Sequence, residues 1–356
     1  MTIVFYISGH GYGHAVRDIE IIKELLRQRP DAVVHVRTAA WPQLFDKLPK
    51  HRVVYHRREL DFGIKQPNSF DVDCEATLLA YAELIRVKER LISEEIAFLH
   101  SVAADLIVSD ITPFAFDAAA GYGKPATAVG NFSWDWIYAD YVARMPQYAF
   151  VVEDIRASYR QAARLLRLPF YGDMSAFAQI EDVPLVARLA ERSGTEVRRL
   201  AGMTSDEPYL MLGLRMADME SVEWRRLDEE LSAISVAVGR DVPLQRCLRL
   251  DEQSLTFEEI LAACDAVLSK PGYSMVAESL ANRTPLLYVR RRDNAEDAAL
   301  IDGLQRYGVC EELAWDDFLA GRWCDALRRL LNKPQNWPPL RIDGAAVIAE
   351  KLLSNR

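Results

Sequence analysis

Residues 8–14 read Ser8-Gly9-His10-Gly11-Tyr12-Gly13-His14, directly after the apolar run Ile3-Val4-Phe5-Tyr6-Ile7. Glycines at alternate positions let a backbone pass close to a ligand and adopt angles other residues avoid. Histidine is the side chain best suited to moving a proton near neutral pH. A strand, a glycine turn and a helix start together make a site for an anion or polar ligand, and here two imidazoles are built into it. The turn is not a dinucleotide fingerprint, because His14 stands where GxGxxG needs glycine. The next strand, Val33–Val36, runs into Arg37-Thr38 rather than into an acid that would hold a ribose. The missing Gly-Lys-Ser/Thr excludes a P-loop. A purely structural strand-to-helix turn is the other reading, but such a turn does not require two histidines.

A second chemical cluster lies far along the chain. Ser269-Lys270-Pro271-Gly272-Tyr273-Ser274 follows an apolar run and opens a helix, so Gly272 and the helix start could hold a diphosphate with Lys270 adding charge. Glu278 falls one helical turn beyond Ser274, on the same side, where a carboxylate can take both hydroxyls of a ribose. Gly213-Leu214-Arg215 ends another strand and offers a further cation. Arg290-Arg291-Arg292 followed by Glu296-Asp297 supplies cations for phosphate and acids for sugar hydroxyls, or else is a solvated charge run.

Asn131-Phe132-Ser133-Trp134-Asp135-Trp136 admits two readings. Its aromatic faces could pack on a sugar ring while Asn131, Ser133 and Asp135 take hydroxyls. Alternatively the tryptophans are core residues of a helix that Ser133 or Asp135 helps begin. Asp71-Val72-Asp73 has the form of a metal-holding DxD, but a short acidic loop before a helix explains it better. His35, His51, His56 and His100 lack ligand spacing and are expected to be structural or exposed.

These residues need elements to position them. Val16, Ile19, Ile22, Leu25 and Leu26 fall at helical spacing and stop before Pro30. Strands are predicted at Val33–Val36 and Val53–Tyr55, then one long helix with Leu84, Leu91, Ile92, Ile96 and Leu99 on a single stripe. A strand at Leu106–Val108 closes on Ser109-Asp110, followed by a helix over Phe114–Ala120 and a strand at Ala126–Val129. After a polar connection over residues 171–205 the pattern restarts, with strands at Tyr209–Leu212, Ala266–Leu268 and Leu286–Val289. Helices are predicted at Ile260–Asp265, Gly272–Ala281 and Ala295–Tyr307, and a last one at Ala345–Leu353. Strands alternating with helices predict parallel sheets wound on both faces, with ligands beyond the carboxyl ends of strands.

At 356 residues two domains are expected, and 50% hydrophobic residues suffice for two cores. A net charge of −9 without a dense basic run argues against a general nucleic-acid binder. Five widely spaced cysteines, Cys74, Cys247, Cys264, Cys310 and Cys324, form no CxxC pair and suggest neither a disulfide framework nor a zinc site. The N-terminal apolar run is short and lacks a basic flank, and no stretch reaches the ~18 apolar residues of a membrane span, so a cytoplasmic protein is expected.

On these residues the sequence resembles the two-domain glycosyltransferases of the GT-B fold, in particular the glycosyltransferase-like N-terminal region of plant L-arabinokinase and its stand-alone bacterial relatives. The resemblance covers most of the chain. It rests on Ser8–Arg17, Val108-Ser109-Asp110, Gly130–Tyr138, Glu181–Val186, Lys270–Glu278 and Val289-Arg290-Arg291. No sugar-kinase phosphate loop is present, so kinase activity is not implied. The glycine turn is more distantly similar to that of the lipid-linked N-acetylglucosaminyltransferase of peptidoglycan synthesis, which places His14 at that family's histidine and Glu278 at its ribose ligand. This chain has Lys270-Pro271-Gly272 where many such donor sites have His-Gly-Gly, and Glu296-Asp297 where Asp-Gln is usual.

The resemblance implies two Rossmann-like α/β domains facing a central cleft. An acceptor-side domain would span residues 1–180 and a nucleotide-sugar domain 181–335, with a C-terminal segment, 336–356, packing back on the first. The expected activity is an inverting, metal-independent transfer from a nucleotide sugar, UDP-sugar favoured, to a hydroxyl acceptor, without a cofactor. Expected catalytic residues are His14, His10 and Asp110. Expected donor ligands are Gly213, Arg215, Ser269, Lys270, Gly272, Tyr273, Ser274, Glu278, Arg290, Glu296 and Asp297. Gly11, Tyr12, Gly13, Asn131, Ser133, Trp134 and Asp135 are expected on the acceptor side. A nucleotide-sugar 2-epimerase and a non-catalytic nucleotide-sugar-binding regulator are the alternatives.

Overall fold

The computed structural model describes residues 1–354 except 205–206, 232, 240 and 252–253. The expected connection 171–205 and C-terminal segment 336–356 therefore each end outside the described residues. The chain divides into two compact units. One comprises Met1–Lys65, Val72–Val186 and Arg341–Arg356, the other Gln66–Asp71 and Ala187–Leu340.

The first unit is built on a seven-stranded sheet of β1 (Thr2–Ile7), β2 (Val33–Thr38), β3 (Val53–Arg57), β4 (Leu106–Asp110), β5 (Ala126–Gly130), β6 (Arg164–Arg167) and β7 (Ile180–Asp182). Its order is β3-β2-β1-β4-β5-β6-β7, with every pairing parallel. The central strands are nearly continuous apolar runs because both faces of a parallel sheet are covered. Ile3, Val4, Phe5 and Tyr6 accordingly have no exposed surface. Strand order reverses between β1 and β4, whose register aligns Ile7 with Asp110. That reversal is where open α/β sheets take ligands.

The C-terminal helix Gly344–Ser354 packs on the helix Gly13–Gln28. Gln28 Nε2 donates to the Ala346 carbonyl at 3.1 Å, and Gly344 N to that of Leu185 at 3.0 Å. A Cβ on Gly344 would lie 2.2 Å from the Pro184 oxygen, so only glycine permits this approach.

The sequence pattern fails at the long helix, which is two helices, Cys74–Arg86 and Lys88–Ser101. Val87 (φ −110°, ψ 8°) leaves the helical path, and its N–H turns back to the Leu84 carbonyl. The buried line of the second helix is Leu91, Glu95 and Leu99 rather than one through Ile92 and Ile96. Glu95 is drawn inward by opposite charges. It accepts from Arg37 Nε at 2.9 Å and Tyr6 Oη at 3.1 Å, and pairs with Arg58 Nε at 2.7 Å.

The second unit holds a six-stranded parallel sheet of β8 (Tyr209–Leu212), β9 (Ile234–Val238), β10 (Cys247–Leu250), β11 (Ala266–Ser269), β12 (Leu286–Tyr288) and β13 (Cys310–Glu312). The order is β10-β9-β8-β11-β12-β13, reversing between β8 and β11. The expected connection is not structureless. It contributes β7 to the first sheet and a helix, Gly194–Ala201, N-capped by Ser193.

The segment Gln66–Asp71 lies inside the second unit, far in sequence from the rest of it. Phe70 is fully buried there, 5.0 Å from the Trp315 ring and 5.5 Å from that of Phe318. The Arg292 N–H donates to the Phe70 carbonyl, and the Ser69 N–H to Asp218 Oδ1, both at 2.8 Å. No helix among the described residues is long and apolar enough to cross a membrane.

Candidate active site

In the first unit, β1 delivers the glycine turn and β4 delivers Asp110 at the strand reversal. Gly9 fits because a Cβ would come within 2.9 Å of Ala39 Cβ, and Gly11 takes φ +67°, a left-handed angle that favours glycine. The helix Gly13–Gln28 starts with Tyr12 at its N-cap and no side-chain cap. His14 Nδ1 lies 2.9 Å from Asp110 Oδ1. Arg17, one helical turn on, places Nη2 at 2.6 Å from both Asp110 oxygens. Its Nη1 donates to Asn131 Oδ1 at 3.0 Å. All four side chains are buried.

Burial alone would raise the Asp110 carboxyl. The adjacent Arg17 guanidinium, His14 and their hydrogen bonds more than offset this and hold it at about 2. An ionised Asp110 only accepts, so His14 Nδ1 carries the hydrogen in this contact, and in the neutral imidazole Nε2 then bears the lone pair. His10 is oriented the other way. Its Nδ1 accepts from the Ile64 N–H at 3.3 Å, which makes Nε2 the protonated nitrogen. The tautomers therefore separate the two histidines: neutral His14 can take a proton at Nε2, whereas His10 is set to donate a hydrogen bond from Nε2.

Asp61 completes this end of the sheet by accepting from Ser8 Oγ and Thr112 Oγ1, both at 2.9 Å. Burial pushes its carboxyl up against those two hydrogen bonds. Ile111, immediately after Asp110, is fully buried with φ +53°. A β-branched residue held there costs about 1–3 kcal/mol and marks the strand end as over-determined by its surroundings.

The acceptor-side expectations fall into different places. Trp134 is fully buried, 5.0 Å from Phe132, stacked 5.8 Å from Tyr138, and edge-on to His10 at 5.6 Å. It therefore walls the histidine site from behind. Ser133 is the N-cap of the helix Trp134–Arg144 but makes no side-chain cap bond. Asp135 pairs with Arg156 Nε at 3.1 Å, while its other oxygen, Oδ1, is buried without a hydrogen bond. Tyr12 is exposed, edge-on to exposed Trp41 at 5.5 Å. Trp41 carries no spacing signal that singles it out, and Arg17 shows its role only once β4 and β5 are in place.

In the second unit some of the residues expected on the donor side lie at the ends of β8 and β11, where the strand order reverses. The Gly213 N–H donates to the Leu268 carbonyl at 2.8 Å, and Ser269 Oγ to the Gly213 carbonyl at 3.2 Å. Gly272 caps the helix Tyr273–Asn282 with extended angles and no side-chain bond, which leaves the first N–H groups of that helix uncapped by it. The Lys270 carbonyl accepts from the Gly272 N–H at 2.8 Å, but its ammonium makes no hydrogen bond or close ion pair among the described residues, with Asp218 and Glu296 acting on it only at longer range. Burial lowers it from 10.5 to about 8, and neighbouring Arg291 adds to the effect. A cation held without a close counter-charge beside a helix start is suited to an anionic ligand.

The arginine run does three different things. Arg290 is on the surface with Glu312 at 3.0 Å. Arg291 is buried, 2.6 Å from Asp297 Oδ1 and 3.0 Å from Glu296 Oε2. Arg292 pairs with Asp71. Glu296 and Asp297 therefore face a guanidinium rather than standing open. Arg215 is bound to Asp218 at 3.0 Å and is half exposed. Glu278 is buried, with both oxygens held by Arg188 at 2.6 and 3.0 Å. The DxD splits between the units. Asp71 serves Arg292, and Asp73 N-caps the helix Cys74–Arg86 by accepting from the Ala76 N–H at 2.9 Å. No cluster of three or more His, Cys, Asp or Glu among the described residues could hold a metal ion.

No family model matches the chain. It is 33% identical over 340 residues to an L-arabinokinase of Arabidopsis thaliana, an alignment covering 93% of this chain and 32% of that protein. The chain thus spans about a third of the length of the curated relative it matches. Among solved structures, the calicheamicin glycosyltransferase CalG4 aligns with a TM-score of 0.59 at 16% identity, covering 99% of this chain and 94% of the other. Phytolacca americana UGT2, complexed with UDP-2-fluoroglucose and pterostilbene, aligns at 0.61 and 13% identity, covering 99% and 93%. With two parallel sheets, each reversing at its own site, the chain has the GT-B fold, and over nearly all its length it is similar to part of a plant L-arabinokinase.

Proposed function

We propose that this chain is a glycosyltransferase that moves a sugar from a nucleoside diphosphate sugar, UDP-sugar first, onto a hydroxyl acceptor with inversion. The observation that carries the reading is the His14–Asp110 pair at 2.9 Å, which supports a neutral imidazole with hydrogen on Nδ1 and Nε2 as the proton acceptor. In this reaction His14 Nε2 takes the acceptor's hydroxyl proton. The acceptor oxygen bonds to the anomeric carbon as the bond from that carbon to the diphosphate oxygen breaks. The nucleoside diphosphate leaves with the electron pair, its charge met by Lys270 and the helix start at Gly272–Ser274. Fixed cations and backbone dipoles supply the charge stabilisation for which a divalent ion could otherwise serve. The UDP-sugar complex of the structurally similar UGT2 supports this donor class. Glu296 and Asp297 are engaged by Arg291, which favours transfer over an epimerase needing free acids.

The test is a thermal-shift screen of UDP- and dTDP-sugars in EDTA. A ligand at roughly 100 times its dissociation constant adds about 2.7 kcal/mol. The stabilising nucleotide sugar is then incubated with a panel of hydroxyl acceptors while released nucleoside diphosphate is measured. Stabilisation that appears only with manganese would overturn the metal-independent reading. Epimer formation without acceptor would replace transfer by epimerisation.

A further inference from the structure

The segment Gln66–Asp71 belongs to the second unit although its sequence neighbours belong to the first, and the proposed reaction gives it no task. Phe70 anchors it, fully buried against Trp315 and Phe318. Asn68 shapes it, since Oδ1 accepts from the Phe70 N–H at 2.8 Å and the Asp71 N–H at 2.9 Å. The Asp71–Arg292 pair is partly exposed and adds little. The backbone of the segment then makes two outward bonds. The Ser69 N–H donates to Asp218 Oδ1, and the Phe70 carbonyl accepts from the Arg292 N–H, both at 2.8 Å. Asp218 follows β8 and Arg292 follows β12, the two strands that flank β11. The segment is therefore bonded to the loops on either side of the one that carries Lys270 and Gly272.

Asp218 is the link to the chemistry. It is buried and grips Arg215 three times. Its Oδ2 accepts from the Arg215 N–H at 3.1 Å and from Nε at 3.2 Å, and its Oδ1 from Nη2 at 3.0 Å. More than half of the Arg215 side chain still reaches solvent, so a guanidinium fixed along one edge stays accessible to a ligand. Arg215 and Lys270 leave neighbouring strands at matched heights, because the Gly213 N–H, two residues before one, donates to the Leu268 carbonyl, two residues before the other, at 2.8 Å. We propose that Gln66–Asp71 is a working part of the nucleotide site: the Ser69 N–H, acting through Asp218, presets Arg215 to meet the diphosphate. Ser69 and Asp218 are positioning residues, and Arg215 is the group that touches the ligand. An arginine held in advance has less rotamer freedom to lose on binding, an advantage of up to about 30-fold for a whole side chain. The diphosphate as ligand rests on the donor reading above; the ordering of Arg215 by this segment does not.

The test loosens the anchor without changing any charge. Phe70→Ala is made alone and together with Arg215→Met, and UDP and uridine are titrated calorimetrically into each variant and the wild type. Nitrogen NMR follows the arginine Nε–H groups, with the Arg215 signal identified by its loss in Arg215→Met. Phe70→Ala should weaken UDP about 3–30-fold while uridine, which has no diphosphate, stays within about 2-fold. In the Arg215→Met background the same change should weaken UDP no further, because the two residues act through one interaction. The Arg215 Nε–H group should be ordered in wild type and mobile in Phe70→Ala. Equal weakening of UDP and uridine, additive effects in the double variant, or an Arg215 signal unaltered by Phe70→Ala would each overturn the proposal. Should Phe70→Ala not fold, Phe70→Leu, which keeps most of the apolar volume, decides by the same measurements. Wild type that binds no UDP overturns the donor reading and the diphosphate with it, while the arginine signal still decides whether the segment orders Arg215, so the two fail separately.

Discussion

Replacing Lys270 by methionine should make the protein more stable and a poorer ligand for UDP. The fall of its ammonium from 10.5 to about 8 corresponds to roughly 3 kcal/mol at about 1.4 kcal/mol per pKa unit. The unfolded chain binds this proton up to 10.5 and the folded chain only up to about 8. Charging Lys270 therefore costs stability in full below pH 8, and the cost is relieved as pH rises toward 10.5. The side chain keeps some solvent access, so ~3 kcal/mol is a ceiling and about 1–3 kcal/mol is expected. Methionine nearly conserves the volume and removes the charge. Urea unfolding at pH 7 should show Lys270→Met more stable than wild type, with the difference shrinking above pH 8. Calorimetric titration should show UDP weakened about 10–100-fold, the scale of losing a hydrogen bond to a charged group. Wild-type UDP affinity should also fall as pH passes 8. A variant that is less stable at pH 7, or that binds UDP unchanged, would refute the reading of Lys270 as a cation waiting for an anion.

Three further outcomes are expected. His14→Ala should lose about 10²–10⁴-fold in transfer while keeping UDP affinity, checked by turnover and titration on the same preparation. Arg188→Met should lower stability by leaving Glu278 buried without its guanidinium, yet tighten UDP if Glu278 holds the ribose, because the diol then no longer competes with Arg188; unchanged or weaker UDP binding would assign Glu278 to structure alone. Asp73→Ala should cost about 1 kcal/mol in urea unfolding through its lost N-cap, and neither it nor Asp71→Ala should alter UDP binding or its insensitivity to EDTA, as calorimetry would show.

What could be read from the sequence was local. The alternation of apolar runs and helical stripes gives the parallel sheets, and the glycine turn with His10 and His14 announces itself by residue type. The missed features depend on partners distant along the chain. Glu95 joins a buried line because Tyr6, Arg37 and Arg58 arrive from β1, β2 and the segment after β3. No period of hydrophobicity encodes such a residue, so the apolar stripe in the sequence runs through Ile92 and Ile96 instead. Likewise Arg290, Arg291 and Arg292 are identical in type and adjacent, yet one is at the surface, one is buried against two acids and one meets Asp71. Burial is a property of position in the fold, and three equal letters cannot express it.

The same limit explains why the histidine site looked simpler in sequence than it is. His14 and Asp110 lie 96 positions apart, and Arg17 and Asp18 follow His14 as ordinary charges at the start of an amphipathic helix. Folding β1 beside β4 turns those charges inward, where Arg17 finds Asp110 and Asn131, while both oxygens of Asp18 are buried without a hydrogen-bond partner. A buried guanidinium, a carboxylate and a second carboxyl are costly unless they compensate one another. Their presence at a strand reversal, beside the left-handed Ile111, is poorly explained by stability. It fits the role proposed for His14, a base on a hydroxyl acceptor, which needs one imidazole held in one tautomer.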